Sequence, residues 1–254
     1  MKEKVSKKEI LRRVVFYISL IVFIVCGYKL YNIWSEYHNN SRVYEEVQEF
    51  SPEKTVEVNG EEKYIFKTED YSKLLSINPD FKGWISISDT EINYPVVKTD
   101  NNEFYLTHNF KKEENDGGAI FISSNNMNPF DDKNTIIHGH HMKDGSMFAD
   151  LKKYKEESFA QTHPIYISTK DKVLKYEVFT VFIEKADNGS YQNNFGPNDE
   201  YVNYINKLMG RSLFNLESGN FTKDDKIITL STCDYNVDDG RLLVCGKLVS
   251  SLDY

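Results

Sequence analysis

Over most of this chain, short apolar runs alternate with turn residues. Runs of this kind read as strands at 84–87, 93–97, 119–123, 135–138, 165–169, 173–183, 226–232 and 242–249. Asn115-Asp-Gly-Gly118 and Asp239-Gly240 are turn signals between them. Short strands at this density predict a mostly β fold, a barrel or a sandwich. Helical spacing interrupts the pattern in three places. Residues 68–77 predict a short helix leading into the body. Residues 146–154 place Met147, Phe148, Leu151 and Tyr154 on one helical stripe. Residues 198–213 do the same with Tyr201, Tyr204, Ile205, Leu208 and Met209, behind a Pro197-Asn198-Asp199 start. Both stripes are expected to pack on the strands.

The N-terminal pattern is different. Val14-Val-Phe-Tyr-Ile-Ser-Leu-Ile-Val-Phe-Ile-Val-Cys-Gly-Tyr28 is apolar, and Leu30, Tyr31, Ile33 and Trp34 extend it past Lys29. Counted to Trp34 the span is about 20 residues, long enough to cross a bilayer. Tyr28, Tyr31 and Trp34 suit a membrane interface, and Lys29 can snorkel. A cleaved signal peptide would end in small residues, and Val25-Cys26-Gly27 has no such pattern. The expectation is an uncleaved signal anchor at 14–34 behind a cytoplasmic basic tail at 1–13. A polar stalk at 35–67, with some helix near 42–50, and a catalytic domain at 68–254 follow.

Charge supports this division. The formal net charge is −8. Six Lys/Arg against Glu3 and Glu9 give residues 1–13 a net of +4, which leaves −12 on the remainder. Positive charge before the span predicts a cytoplasmic N-terminus and a body outside the cell. An acidic body argues against a nucleic-acid partner, and there is no Gly-rich phosphate loop or dinucleotide fingerprint.

Three cysteines occur: Cys26 in the span, and Cys233 and Cys245 in the body. Cys245 lies inside an apolar strand and reads as a small buried hydrophobe. Cys233 closes the run Lys226-Ile-Ile-Thr-Leu-Ser-Thr-Cys233, so it stands at a strand end where a rigid element presents a side chain to a cleft. Eight residues on, Arg241 opens the next apolar run. Upstream, Ile136-Ile-His-Gly-His-His-Met142 ends in imidazoles, any one of which could act as acid and base. A thiol, a histidine and a guanidinium at strand edges are the parts of a cysteine acyl-transfer site. Two rival readings share these residues. One is a secreted metal-dependent hydrolase built on the His138–His141 cluster, although only Asp144 follows closely as a further ligand. The other is a non-enzymatic surface scaffold.

Thr229-Leu-Ser-Thr-Cys233 resembles the active-site signature of sortases. Asn134-Thr-Ile-Ile-His-Gly-His-His-Met-Lys-Asp-Gly-Ser-Met-Phe148 resembles the histidine segment of class B sortases, and Arg241 stands where their arginine is expected. The resemblance covers about residues 70–254, in the order histidine, cysteine, arginine. It implies an eight-stranded sortase-type β-barrel with N-terminal helices and a helix inserted before the cysteine strand. It implies a membrane-anchored cysteine transpeptidase of a Gram-positive bacterium that needs no cofactor or metal. The catalytic histidine of the family directly follows a glycine, which selects His140. Cys233 would attack the threonine carbonyl of a C-terminal sorting signal, of an Asn-Pro-x-Thr or related type. The implied partners are surface proteins bearing such a signal and a peptidoglycan precursor or cross-bridge amine. Arg241 would hold the oxyanion or the threonine carbonyl. Ser231 shares a strand face with Cys233 and is a candidate substrate contact. Tyr191, in the loop before the second helix, is a candidate wall of the groove.

Overall fold

The computed structural model describes residues 7–56, 62–185, 190–196, 199–216 and 219–254. The chain divides into two compact units, Met1–Arg42 and Val43–Tyr254. In the first, helix α1 (Lys7–Gln48, which continues into the second unit) carries exposed apolar side chains from Ile10 to Trp34. By length and composition it is able to cross a membrane.

The second unit is built on a closed eight-stranded barrel. After α1 come β1 (Glu53–Val56), β2 (Glu62–Ile65), α2 (Thr68–Ile77), β3 (Phe81–Ser86), β4 (Asn93–Val97), β5 (Ile120–Ile122) and β6 (Asn134–His138). They are followed by α3 (Glu157–Thr162), β7 (Ile165–Ser168), β8 (Lys172–Lys185), α4 (Glu200–Met209), β9 (Ile227–Asp234) and β10 (Gly240–Asp253). Around the barrel the order is β10-β8-β7-β3-β4-β5-β6-β9. β4–β5 and β6–β9 are parallel pairs; the others are antiparallel. The hydrophobic core is filled by apolar and aromatic side chains, among them Phe81, Trp84, Phe110 and Tyr176. Polar groups within this core find partners: Trp84 Nε1 donates to Asn93 Oδ1 at 2.7 Å, and Asn78 Nδ2 donates to Tyr105 Oη at 2.8 Å.

Strand β10 shows why its run reads as continuously apolar. Leu242 and Val244 point into the barrel core, while Leu243 and Cys245 point outward under α4 with Phe179, Phe182, Tyr204 and Leu208. A strand covered on both faces has no polar side to display. Burial pushes the Cys245 thiol up to about 12, against the lowering effect of its Thr229 contact.

The expected strands are present, and β8 and β10 run longer than the pattern predicts. They pair with each other from Gly240↔Lys185 to Asp253↔Lys172, so polar ends such as Ser250–Ser251 are held by the ladder. The helix expected over 68–77 is α2. The stripe at 146–154 is not an α-helix. Met147 adopts φ +58°, which breaks helical continuation, and the chain forms 3₁₀ turns at Ala149–Lys155 before α3. The stripe at 198–213 contracts to α4. After Gly210 the chain turns back, and Leu213 N donates to Val181 O at 2.8 Å. Pro197 and Asn198 lie outside the described residues. The stretch read as a polar stalk holds the last turns of α1 and the β1–β2 hairpin. Tyr44 Oη donates to Gly118 O at 2.8 Å, and Ser168 Oγ donates to Tyr64 O at 2.5 Å, so the end of α1 and β2 pack on the barrel.

Candidate active site

Strand alternation sorts the end of β9. Leu230 faces the barrel core, whereas Thr229, Ser231 and Cys233 face outward, as the 2.9 Å bond from Thr229 Oγ1 to Asn134 Oδ1 shows for the first of them. β10 is antiparallel to β9, with Arg241 directly opposite Cys233. β6 is parallel to β9 on the other side, with His138 opposite Ser231. Cys233, Ser231, Arg241 and His138 therefore share one outer patch. The tight turn between β9 and β10 suits this pairing: Asp239 takes the left-handed conformation at φ +52°. Arg241 Nη1 bonds Asp239 Oδ1 at 3.2 Å and the Gly240 carbonyl at 3.1 Å, and its side chain stays 30% exposed.

The three clustered imidazoles diverge. His138 lies between the rings of Phe121 and Tyr191, with centroids at 5.3 and 5.4 Å. Burial, with Arg241 second, lowers its pKa to about 4, so it is neutral near pH 7. Gly139 follows in close packing. A Cβ there would lie 2.5 Å from Ile120 Cδ1 and 2.7 Å from Phe148 Cδ2, so a side chain at this position must push these neighbours aside. His140 then comes to the same cleft as Cys233. Its Nε2 donates to the Leu106 carbonyl at 2.8 Å. That bond requires a proton on Nε2 and makes Nδ1 the unprotonated nitrogen of the neutral ring. His141 turns to the nucleophile strand, where its Nδ1 donates to the Cys233 carbonyl at 3.1 Å. Among the described residues, no three His, Cys, Asp or Glu side chains gather as a metal site would need.

The cleft has a volume of about 380 Å³ and is lined by Cys233, His140, Arg241, His138, Ser231 and Tyr191, with Asn102, Leu106, Phe121, Gly139 and Thr232. Tyr191 and Ser231, expected near the substrate, touch: their hydroxyls are 2.8 Å apart. Burial raises the Tyr191 pKa, keeping the phenol neutral. The sequence carries no signal for Asn102, Leu106 and Phe121. The first two lie on the connection between β4 and β5, where Leu106 ends a 3₁₀ turn and takes part through its backbone carbonyl, which any residue type supplies. His141 was visible only as one of three adjacent imidazoles. A wider depression of about 500 Å³ near β1 and β2 holds paired ions such as Lys54–Glu62 at 2.7 Å, remote in sequence from these groups.

Known proteins share this architecture. The sortase domain family matches residues 85–249. Sortase B of Listeria monocytogenes is 36% identical over 239 residues, covering 92% of this chain and 94% of that protein. The structure of sortase B from Bacillus anthracis in complex with AAEK1 superposes with a TM-score of 0.72 at 35% identity, covering 85% of this chain and 99% of that one. A Staphylococcus aureus sortase B–substrate complex gives a TM-score of 0.66 at 31% identity, covering 72% and 86%. With a barrel of matching form and a thiol, an imidazole and a guanidinium on one cleft, the chain belongs to the sortase family, and within it to class B, as a cysteine transpeptidase.

Proposed function

We propose that Cys233 is the nucleophile, His140 the acid and base, and Arg241 the oxyanion partner of a sorting reaction on surface proteins. The observation that carries this reading is the register: Arg241 stands opposite Cys233 on adjacent strands, at the cleft that also holds His140. Cys233 attacks the threonine carbonyl of a sorting signal as its thiol proton passes to His140. The carbonyl oxygen becomes an oxyanion beside Arg241, whose permanent charge favours it over the ground-state carbonyl. The peptide C–N bond breaks as His140 protonates the departing amine, leaving a thioacyl enzyme. An amine of peptidoglycan or its precursor then attacks the thioester. His140 takes its proton, an amide forms, and Cys233 departs as the thiolate. Ser231 and Tyr191 line the path of the peptide. The substrate complex of the Staphylococcus aureus relative supports substrate binding by this fold.

The apolar helix and the basic residues before it support a single-pass anchor with a cytoplasmic N-terminus and an extracellular body. Incubating the full chain in detergent with sorting peptides and a small amine tests the chemistry. Mass spectrometry should find a thioacyl adduct on Cys233, and Cys233→Ala should lose turnover by about 10⁴-fold or more. Arg241→Ala should lower kcat by about 10²- to 10³-fold. An active Cys233→Ala variant would remove the proposal.

A further inference from the structure

The segment that brings Tyr191 to the cleft is irregular, yet both neighbours of Tyr191 are tied down. On one side, Ser190 Oγ donates to Glu184 Oε2 at 2.7 Å, and Tyr204 Oη donates to the Ser190 carbonyl at 2.7 Å. On the other, Asn134 Nδ2 donates to the Gln192 carbonyl at 2.9 Å. Arg211, in the turn after α4, reaches back to the first anchor. Its Nη1 lies 2.7 Å from Glu184 Oε2 and 2.6 Å from Ser190 Oγ. Three separate chain positions thus meet at one carboxylate: the end of β8, the start of the irregular segment, and the turn that closes α4.

Glu184 has a side chain only 3% exposed, and its Oε1 has no hydrogen-bond partner. Burying a carboxylate is costly, and an apolar pair would hold two elements together with less desolvation. A charge-assisted hydrogen bond fixes direction, which plain packing does not. Glu184 is also the register partner of Arg241, which is in turn the partner of Cys233. Engaged by Arg211, the Glu184 carboxylate leaves the Arg241 guanidinium to Asp239 and the cleft.

From these contacts we infer that Glu184, Ser190 and Arg211 are positioning residues with two tasks. They set Tyr191 over Ser231, which governs how strongly peptide binds. They also keep a buried carboxylate from drawing Arg241 away from the reacting oxygen. The inference rests on the sorting reaction assigned to the cleft, and its test separates the two. In the full chain in detergent, Ser190→Ala should raise KM for the sorting peptide about five- to tenfold and leave kcat within about twofold, as loss of the two hydrogen bonds of its hydroxyl predicts. Arg211→Met should raise KM and also lower kcat, and adding Glu184→Gln should restore kcat. A purely structural contact would not show that rescue. A second readout is independent of turnover: 3-fluorotyrosine at position 191, followed by ¹⁹F NMR without peptide, should shift or broaden in Ser190→Ala. Unchanged KM in Ser190→Ala, no recovery in the double variant, or an unmoved ¹⁹F resonance would each overturn the inference. If the unmodified chain turns over no peptide, the sorting reaction falls, and the ¹⁹F resonance alone then decides the positioning role.

Discussion

At the scale of single residues, His138 separates the three imidazoles most sharply. It adjoins Ser231 and Arg241, but its surroundings hold it neutral, with a pKa of about 4 against 6.5 in an open chain. Above pH 6.5 the folded and unfolded chains both carry a neutral His138, and stability is unaffected. Below 6.5 the unfolded chain takes up a proton that the folded one refuses, so stability falls as pH drops towards 4. The loss approaches about 3 kcal/mol. Urea unfolding at pH 7.5 and pH 4.5 should therefore show a larger acid loss for the parent chain than for His138→Gln. Equal losses would show that burial does not hold the ring neutral. Cys233 and Arg241 were legible as strand-edge groups because strand ends leave a clear apolar-to-polar step. The bond from His140 to Leu106 was not, because a carbonyl acceptor leaves no trace in residue type.

Elements were legible where an apolar pattern had a single cause. β4 matches its expected span, and β9 begins one residue after the expected start and ends two residues past the expected end, both strands facing buried surroundings. β1 and β2 were missed because Glu53-Lys-Thr-Val and Glu62-Lys-Tyr-Ile are polar, short and held by their own pairing. The 146–154 stripe had the right buried residues, Met147, Phe148, Leu151 and Tyr154, but the wrong backbone, since periodicity does not register a positive φ at Met147. The connection from β6 to His140 has little room to vary. Gly139→Ala must displace Ile120 or Phe148, an overpacking that costs about 1–3 kcal/mol. Thermal unfolding should show a lower Tm, and turnover should fall because His140 is the next residue. A wild-type Tm would mean the packing around Gly139 yields easily.

For the whole molecule, an apolar pattern allows a barrel or a sandwich, and closure is what distinguishes them. Closure here depends on β4–β5 and β6–β9, parallel pairs joined through long connections, and no local motif announces them. The proposed membrane placement can be tested on intact cells. Protease added outside should digest the body while a tag fused before Lys2 stays protected; digestion of that tag would reverse the orientation.

The closed barrel carries a consequence for recognition. A sheet with an open edge can enlist a passing peptide as one more strand, through main-chain ladder bonds that are indifferent to side chains. This barrel has no free edge, and Cys233 lies on an outward face of it. A peptide arriving there has to be read by the side chains it meets. Selectivity is thereby uncoupled from the framework, so lineages can change which signal they accept by exchanging cleft residues while the strand ladder stays intact.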